Sequence, residues 1–292
     1  VRNFSIIDMG SIIDIIVNVC RAGQKKAGVE SGGDIIIENL SRNLQERVRI
    51  HRIDSYNNST LPFDSIGYRE CNDLIMRLEM ENKRWISLGG DHSTAVSTIE
   101  PLLRKYEDDL LVVWIDAHTD INTFETSNSK NSHGMPVAYL MGLMKEKPRY
   151  ELKPENLMFI GIRDVEPAEQ DFLGTLGIPF FTDYQPYHNL SSKSGRIDLD
   201  KIVGHILQSK KSQIHFSIDI DGCDPTEMPS TGTAVTGGLS VDFVMELIRM
   251  VNSIQKIHSF DIVEYNPQIG TKIDNIVTLS NILRIFDLII TI

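Results

Sequence analysis

Acids and imidazoles crowd together directly after an apolar run at three places in this chain: Leu88-Gly89-Gly90-Asp91-His92-Ser93, Trp114-Ile115-Asp116-Ala117-His118-Thr119-Asp120, and Ser217-Ile218-Asp219-Ile220-Asp221-Gly222-Cys223-Asp224-Pro225. On an extended segment, side chains two apart point the same way, with Cα atoms roughly 7 Å apart. Asp116, His118 and Asp120 would therefore share one face, and Asp219 and Asp221 another. Alone, such a pattern is weak, because an Asp-x-Asp at a strand end is often only a turn closed by its own side chain. Together, the clusters pose a problem of charge. Carboxylates gathered at the end of a buried sheet repel one another and take up protons unless cations neutralise them. Two divalent ions would balance four carboxylates, and His92 and His118 would complete an N/O donor set of six residues. Oxygen-rich ligation without thiolate favours Mn, Mg or Fe over a structural zinc. Two such ions about 3.5–4 Å apart can share a water, lower its pKa towards neutrality and give a hydroxide nucleophile.

Short β-branched runs alternate with longer amphipathic ones. They predict strands over residues 12–19, 48–53, 85–88, 110–116, 157–161, 178–181, 214–219 and 257–263. Helices are predicted near 65–83, 94–106, 136–145, 167–176, 200–209, 241–253 and 275–288. This alternation predicts an α/β fold, a three-layer α/β/α sandwich around a mainly parallel sheet of about eight strands. Near-continuous apolar strands suit a sheet covered on both faces. Ligands of such sheets bind beyond the carboxyl ends of the strands, where the three clusters fall. No Pro-rich, Gly/Ser-rich or charge-block linker divides the chain, so residues 1–292 read as a single domain.

The 292 residues are 41% hydrophobic and 24% charged, which excludes a disordered chain, a collagen and a bundle of membrane spans. Lys and Arg number 29 against 40 Asp and Glu, a formal charge of −11. Such a surface repels phosphate backbones, so neither nucleic acid nor an anionic membrane is an expected partner. A cationic small molecule is not repelled. Cys20, Cys71 and Cys223 are scattered and odd in number, which points to a reducing compartment rather than a disulfide framework. The triplet Asn58-Ser59-Thr60 is a sequon of a kind common by chance. The chain opens at Val1 without Met, as a fragment or a processed form would.

The motifs GGDHS, DAHTDIN, HGMPV, SIDIDGCDP, TGTAVTGGLS and DIVEYNP, with a weaker GQKKAGVESGG near the N-terminus, resemble the ureohydrolase family and most closely its arginases. The resemblance implies a dinuclear manganese site at the strand ends, with two Mn2+ ions per subunit. His92, Asp116, Asp120 and Asp219 would hold one ion, and Asp116, His118, Asp219 and Asp221 the other. It further implies that Asp120 orients the bridging hydroxide. Glu264 would accept the substrate guanidinium, for which a carboxylate has the matching fork geometry. Thr233 would hold that carboxylate, and His133 would shuttle protons, as its unperturbed pKa suits. The remaining histidines, His51, His188, His205, His215 and His258, carry no motif.

The implied reaction is hydrolysis of L-arginine to L-ornithine and urea; the alternatives are agmatinase or another guanidino-compound hydrolase, a deacetylase on a related fold, or a non-catalytic scaffold. The second histidine cluster, GGDHS, argues against a mononuclear deacetylase site. All six ligand positions are kept, which argues against a scaffold without catalysis. Asn122, Ser129 and Asn131 match the contacts to the α-carboxylate and are donors that suit it. Glu166 stands where arginases commonly place an Asp that reads the α-ammonium, and is one methylene longer. Val19, Gly32-Gly33 and Cys223 also depart from the family pattern, away from the presumed ligands. Homotrimers or hexamers are common in the family. A cytoplasmic location is expected, although relatives also occur in mitochondria.

Overall fold

An all-apolar strand such as Leu110–Ile115 has no side that water can face, so other elements must cover both. The computed structural model describes residues 12–56, 63–187 and 194–292. The sequon at 58–60 and His188 lie outside them. One sheet is built from β1 (Ile13–Asn18), β2 (Val48–Ile53), β3 (Trp85–Leu88), β4 (Leu110–Ile115), β5 (Leu157–Ile160), β6 (Phe180–Phe181), β7 (Ser194–Gly195), β8 (Gln213–Asp219) and β9 (Ile257–Val263). Its order is β2-β1-β3-β9-β8-β4-β5-β6-β7, and every pairing is parallel.

Two hydrophobic cores flank this sheet. On one face, apolar side chains of α1 (Gly32–Glu38), α2 (Arg42–Gln45), α7 (Leu199–Ser209), α8 (Val241–Ile254) and α9 (Lys272–Thr291) join one core that includes Leu111, Val113 and Ile115 of β4. On the other, those of α3 (Ile66–Met80), α4 (Ala95–Tyr106), α5 (Pro136–Leu140) and α6 (Pro167–Leu176) join a second core that includes Leu110, Val112 and Trp114. Alternate side chains of one strand thus serve the two layers, as the period of two requires. The α/β/α sandwich expected from the sequence is present, with β7 as a two-residue ninth strand. Among the described residues, no helix is long and apolar enough to cross a membrane.

The differences from expectation have local causes. The helix expected over 136–145 stops at Leu140, because Gly142 turns left-handed at φ 66°. α9 starts three residues early: the Thr271 hydroxyl accepts from Asp274 N, and the Asp274 carboxylate accepts in turn from the Thr271 N–H. α1 was not expected at all. Its Gly32-Gly33 start looks like a loop, yet a Cβ at Gly32 would lie 2.3 Å from the Tyr265 carbonyl oxygen. Glycine here permits close docking at the cost of helix propensity.

The central strands β3, β9, β8 and β4 are direct neighbours. Their carboxyl ends deliver His92, Glu264, the Asp219/Asp221 pair and the Asp116–Asp120 cluster to one edge.

Candidate active site

Local turns aim the acids. Past β3, Asp91 accepts hydrogen bonds from Ser93 N at 3.0 Å and Gly23 N at 2.8 Å, which starts a helical turn at His92. Past β4, Asp116 Oδ1 accepts from His118 N at 2.7 Å, and its Oδ2 accepts from Trp114 Nε1 at 2.9 Å. Past β8, Asp219 Oδ1 accepts from Asp221 N at 2.8 Å, and Asp221 Oδ1 from Ala117 N at 3.2 Å. Asp120 and Glu264 sit at φ 51° and 67°, a left-handed conformation that non-glycine residues adopt at a cost and that collects at functional sites.

The His92 ring stacks on Trp114, with centroids 4.0 Å apart and planes 12° from parallel. Its Nε2 lies 2.9 Å from Ser217 Oγ, so Nδ1 is the nitrogen turned towards the acids. That Nδ1 is buried without a hydrogen-bond partner, yet it lies 3.1 Å from Asp116 Oδ2, 3.2 Å from Asp120 Oδ2 and 3.3 Å from Asp219 Oδ2. Beside it, His118 Nδ1 is 3.4 Å from Asp116 Oδ1 and 3.2 Å from Asp221 Oδ2. Among the described residues, two groups could hold a cation, His92–Asp116–Asp219 and Asp116–His118–Asp221, and they share Asp116.

Charge in this cluster is unbalanced. Burial, then the charges of Asp221 and Asp116, push the Asp219 carboxyl well above the usual range. Burial and the Asp116 charge push Asp120 up to about 7. Burial opposes charge on His92, but its contacts with Asp116, Asp120 and Asp219 raise it nonetheless. An orphaned imidazole nitrogen facing three carboxylate oxygens is an arrangement that a divalent cation relieves. Neither group includes a cysteine, so the donors suit Mn-, Mg- or Fe-type ions.

The cluster opens into a cavity of about 250 Å³ lined by His118, Asp120, Asn122, Ser129, His133, Gly134, Asp164, Glu166, Glu169, Asp219 and Thr233. Glu264 is buried behind His133 and is not itself among the residues that line the cavity: Oε1 accepts from His92 N at 2.9 Å and lies 3.0 Å from His133 Nδ1. Burial opposes protonation of His133, but the Glu264 carboxylate pulls it up to about 9. On the outer wall, Asn122 Nδ2 donates to Glu166 Oε2 at 3.1 Å, and Ser129 Oγ accepts from Asn131 N at 3.2 Å. Asn131 does not line the cavity.

One expected contact is corrected. The Thr233 hydroxyl donates to Asp221 Oδ2 at 2.7 Å, not to Glu264. The loop that carries it rejoins the extension of β8 through the Cys223–Leu239 bridge, and so lies over the β8 end rather than the β9 end. Two further residues escaped the sequence. Glu169 is buried on the wall, with Oε1 accepting from Thr119 Oγ1 at 2.6 Å and Oε2 from Glu166 N at 2.8 Å. Its signal was present but ambiguous, since an acid three residues after a cap reads as helix capping. Gln24 Nε2 donates to Glu264 Oε2 at 2.7 Å across 240 residues, a pairing that no local spacing announces.

Comparison with known proteins agrees with this geometry. The arginase-family profile matches residues 12–285. Arginase of Schizosaccharomyces pombe (strain 972) is 36% identical over 211 residues, covering 70% of this chain and 64% of that protein, just under two thirds of its length. The mitochondrial arginase-2 of Rattus norvegicus is 34% identical over 273 residues, covering 85% and 76%. The crystal structure of Entamoeba histolytica arginase in complex with L-ornithine aligns with a TM-score of 0.78 at 28% identity, over 97% of this chain and 100% of that one. A chain with this sheet edge, this shared-aspartate cluster and a family match over nearly its whole length belongs to the arginase family.

Proposed function

We propose that the chain hydrolyses L-arginine to L-ornithine and urea with two Mn2+ ions, one held by His92, Asp116, Asp120 and Asp219 and the other by Asp116, His118, Asp219 and Asp221. The observation that carries this reading is the orphaned His92 Nδ1 facing three carboxylates, beside a second group that shares Asp116. Bound there, the ions would supply Lewis-acid charge and an activated water.

The chain's own groups do the rest. Glu264 accepts the guanidinium from below and holds its carbon near the cluster. Asp120, at the mouth of the cluster, passes a proton to the departing δ-nitrogen. His133 hydrogen-bonds to Glu264 from the cavity wall and exchanges protons with solvent. Asn122 and Ser129, with Asn131 behind them, meet the α-carboxylate, and Glu166 meets the α-ammonium. The protein surrounds the substrate with acids, which excludes anions and favours a cation.

One observation favours a second substrate. Asp164, Glu166 and Glu169 all line the outer wall, and an acidic wall would also suit the ammonium end of agmatine. Urea release measured in parallel on arginine and agmatine, with and without Mn2+, tests both. Mn2+-dependent release from arginine, at least about tenfold faster than from agmatine, is expected, since one well-placed polar contact is worth about that factor. Release from agmatine alone overturns the arginine reading, and no release from either overturns the hydrolase reading.

A further inference from the structure

Glu264 is gripped on both oxygens. Oε1 accepts from His92 N at 2.9 Å and lies 3.0 Å from His133 Nδ1, while Oε2 accepts from Gln24 Nε2 at 2.7 Å. Each carboxylate oxygen has about two accepting directions, so Oε1 is filled and Oε2 keeps capacity for a ligand. The last torsion of a glutamate is broad, and contacts at one oxygen alone orient it poorly.

Gln24 stands on the segment that follows β1, which is fastened independently of its side chain. Gly23 N donates to Asp91 Oδ2 at 2.8 Å, and Gly23 O accepts from His133 N at 3.2 Å. Lys26 Nζ donates to Gly232 O, and Asn266 Nδ2 donates to Ala27 O at 3.0 Å. These bonds join residues 23–27 to the loops after β3, β4, β8 and β9. Removing the Gln24 amide therefore leaves the segment in place and frees only the carboxylate.

We infer that Gln24 is a positioning residue that fixes the rotation of the Glu264 carboxylate and thereby the seat of the guanidinium, an inference that rests on the guanidino-hydrolase reading above. Gln24→Met keeps the chain length and removes the N–H. Its KM for arginine rises about tenfold while kcat stays within about threefold, the scale of one hydrogen bond to a charged group. Gln24→Glu sets a second carboxylate against Glu264 and raises KM further. The inhibition constant of L-ornithine, which lacks the guanidino carbon, and the Mn2+ content stay at the wild-type values in Gln24→Met. An unchanged KM overturns the inference, and so does a KM that rises together with the ornithine constant, the mark of a general structural lesion. A wild-type chain that releases no urea overturns the functional reading and the inference with it; an active wild type matched by Gln24→Met overturns the inference alone.

Discussion

An imidazole engaged at one ring nitrogen can offer only the other, and Ser217 fixes that choice for His92. Asp116 belongs to both of the groups that could hold a cation and His118 to one, so on the proposed function their losses are unequal. In Asp116→Ala, metal analysis after dialysis against Mn2+ should find neither ion, whereas His118→Ala should keep about one per chain. Urea release falls by more than about a hundredfold in both, since losing a direct ligand exceeds the ten- to hundredfold cost of losing an outer one. Equal metal content in the two variants would contradict the shared-aspartate arrangement. Thr233 belongs to that outer set, because its hydroxyl meets Asp221. Thr233→Val should weaken Mn2+ binding by about tenfold. Arginine KM at saturating Mn2+ should move little; a large KM change with normal Mn2+ affinity would place Thr233 on the substrate instead.

At the scale of elements, the site depends on loops that touch without room to spare. A Cβ on Gly90 would lie 1.6 Å from the Cys20 carbonyl oxygen, so the loop after β3 and the loop after β1 cannot both keep their places in Gly90→Ala. The clash is with backbone, which cannot rotate away, and denaturant unfolding should show a loss of about 3 kcal/mol or a failure to fold. Wild-type stability in that variant would mean that the two loops do not meet as described. The same dependence on contact separates what was legible in the sequence from what was not. β4 announced itself because an unbroken LLVVWI reads as a doubly covered strand; Asp116, His118 and Asp120 do gather at its end, but through a turn past Ile115 in which Asp116 accepts from His118 N and Asp120 turns left-handed, and not through strand alternation. α1 did not, because Gly32 serves a neighbour 233 residues away in Tyr265 and not its own helix. The Thr233 contact was misplaced because the return path of its loop is set by pairing with β8. Glu169 spoke only as a cap, and Gln24 has its partner at the other end of the chain.

Over the whole molecule, the two ends of the sheet carry different duties. Opposite the cavity, Glu79 at the end of α3 is a buried carboxylate that joins three other elements. It accepts from Trp85 Nε1 at 2.7 Å, Tyr106 OH at 2.6 Å and Lys105 Nζ at 3.0 Å, and it lies 2.6 Å from His258 Nε2. Burial alone would raise this carboxyl, but the hydrogen bond and charge of His258, with the Tyr106 and Trp85 donors, hold it down at about 2 from an ordinary 4.5. A depressed folded value means that the folded state favours the ionised form. The stabilisation is complete above about pH 4.5 and drains away as pH falls towards 2, worth roughly 3 kcal/mol at neutrality. Glu79→Gln should therefore be less stable than wild type at pH 7 by an amount of that order, and the gap should close as the solution is acidified through that window. Urea-denaturation midpoints of the metal-free proteins, taken from pH 7 down to pH 2.5, measure the gap directly. Using the metal-free forms removes proton competition for bound ions from the comparison, and the aspartates of the cavity cancel between the two proteins. A gap that stays constant across the window would mean that Glu79 stabilises through packing and neutral hydrogen bonds, not through its charge.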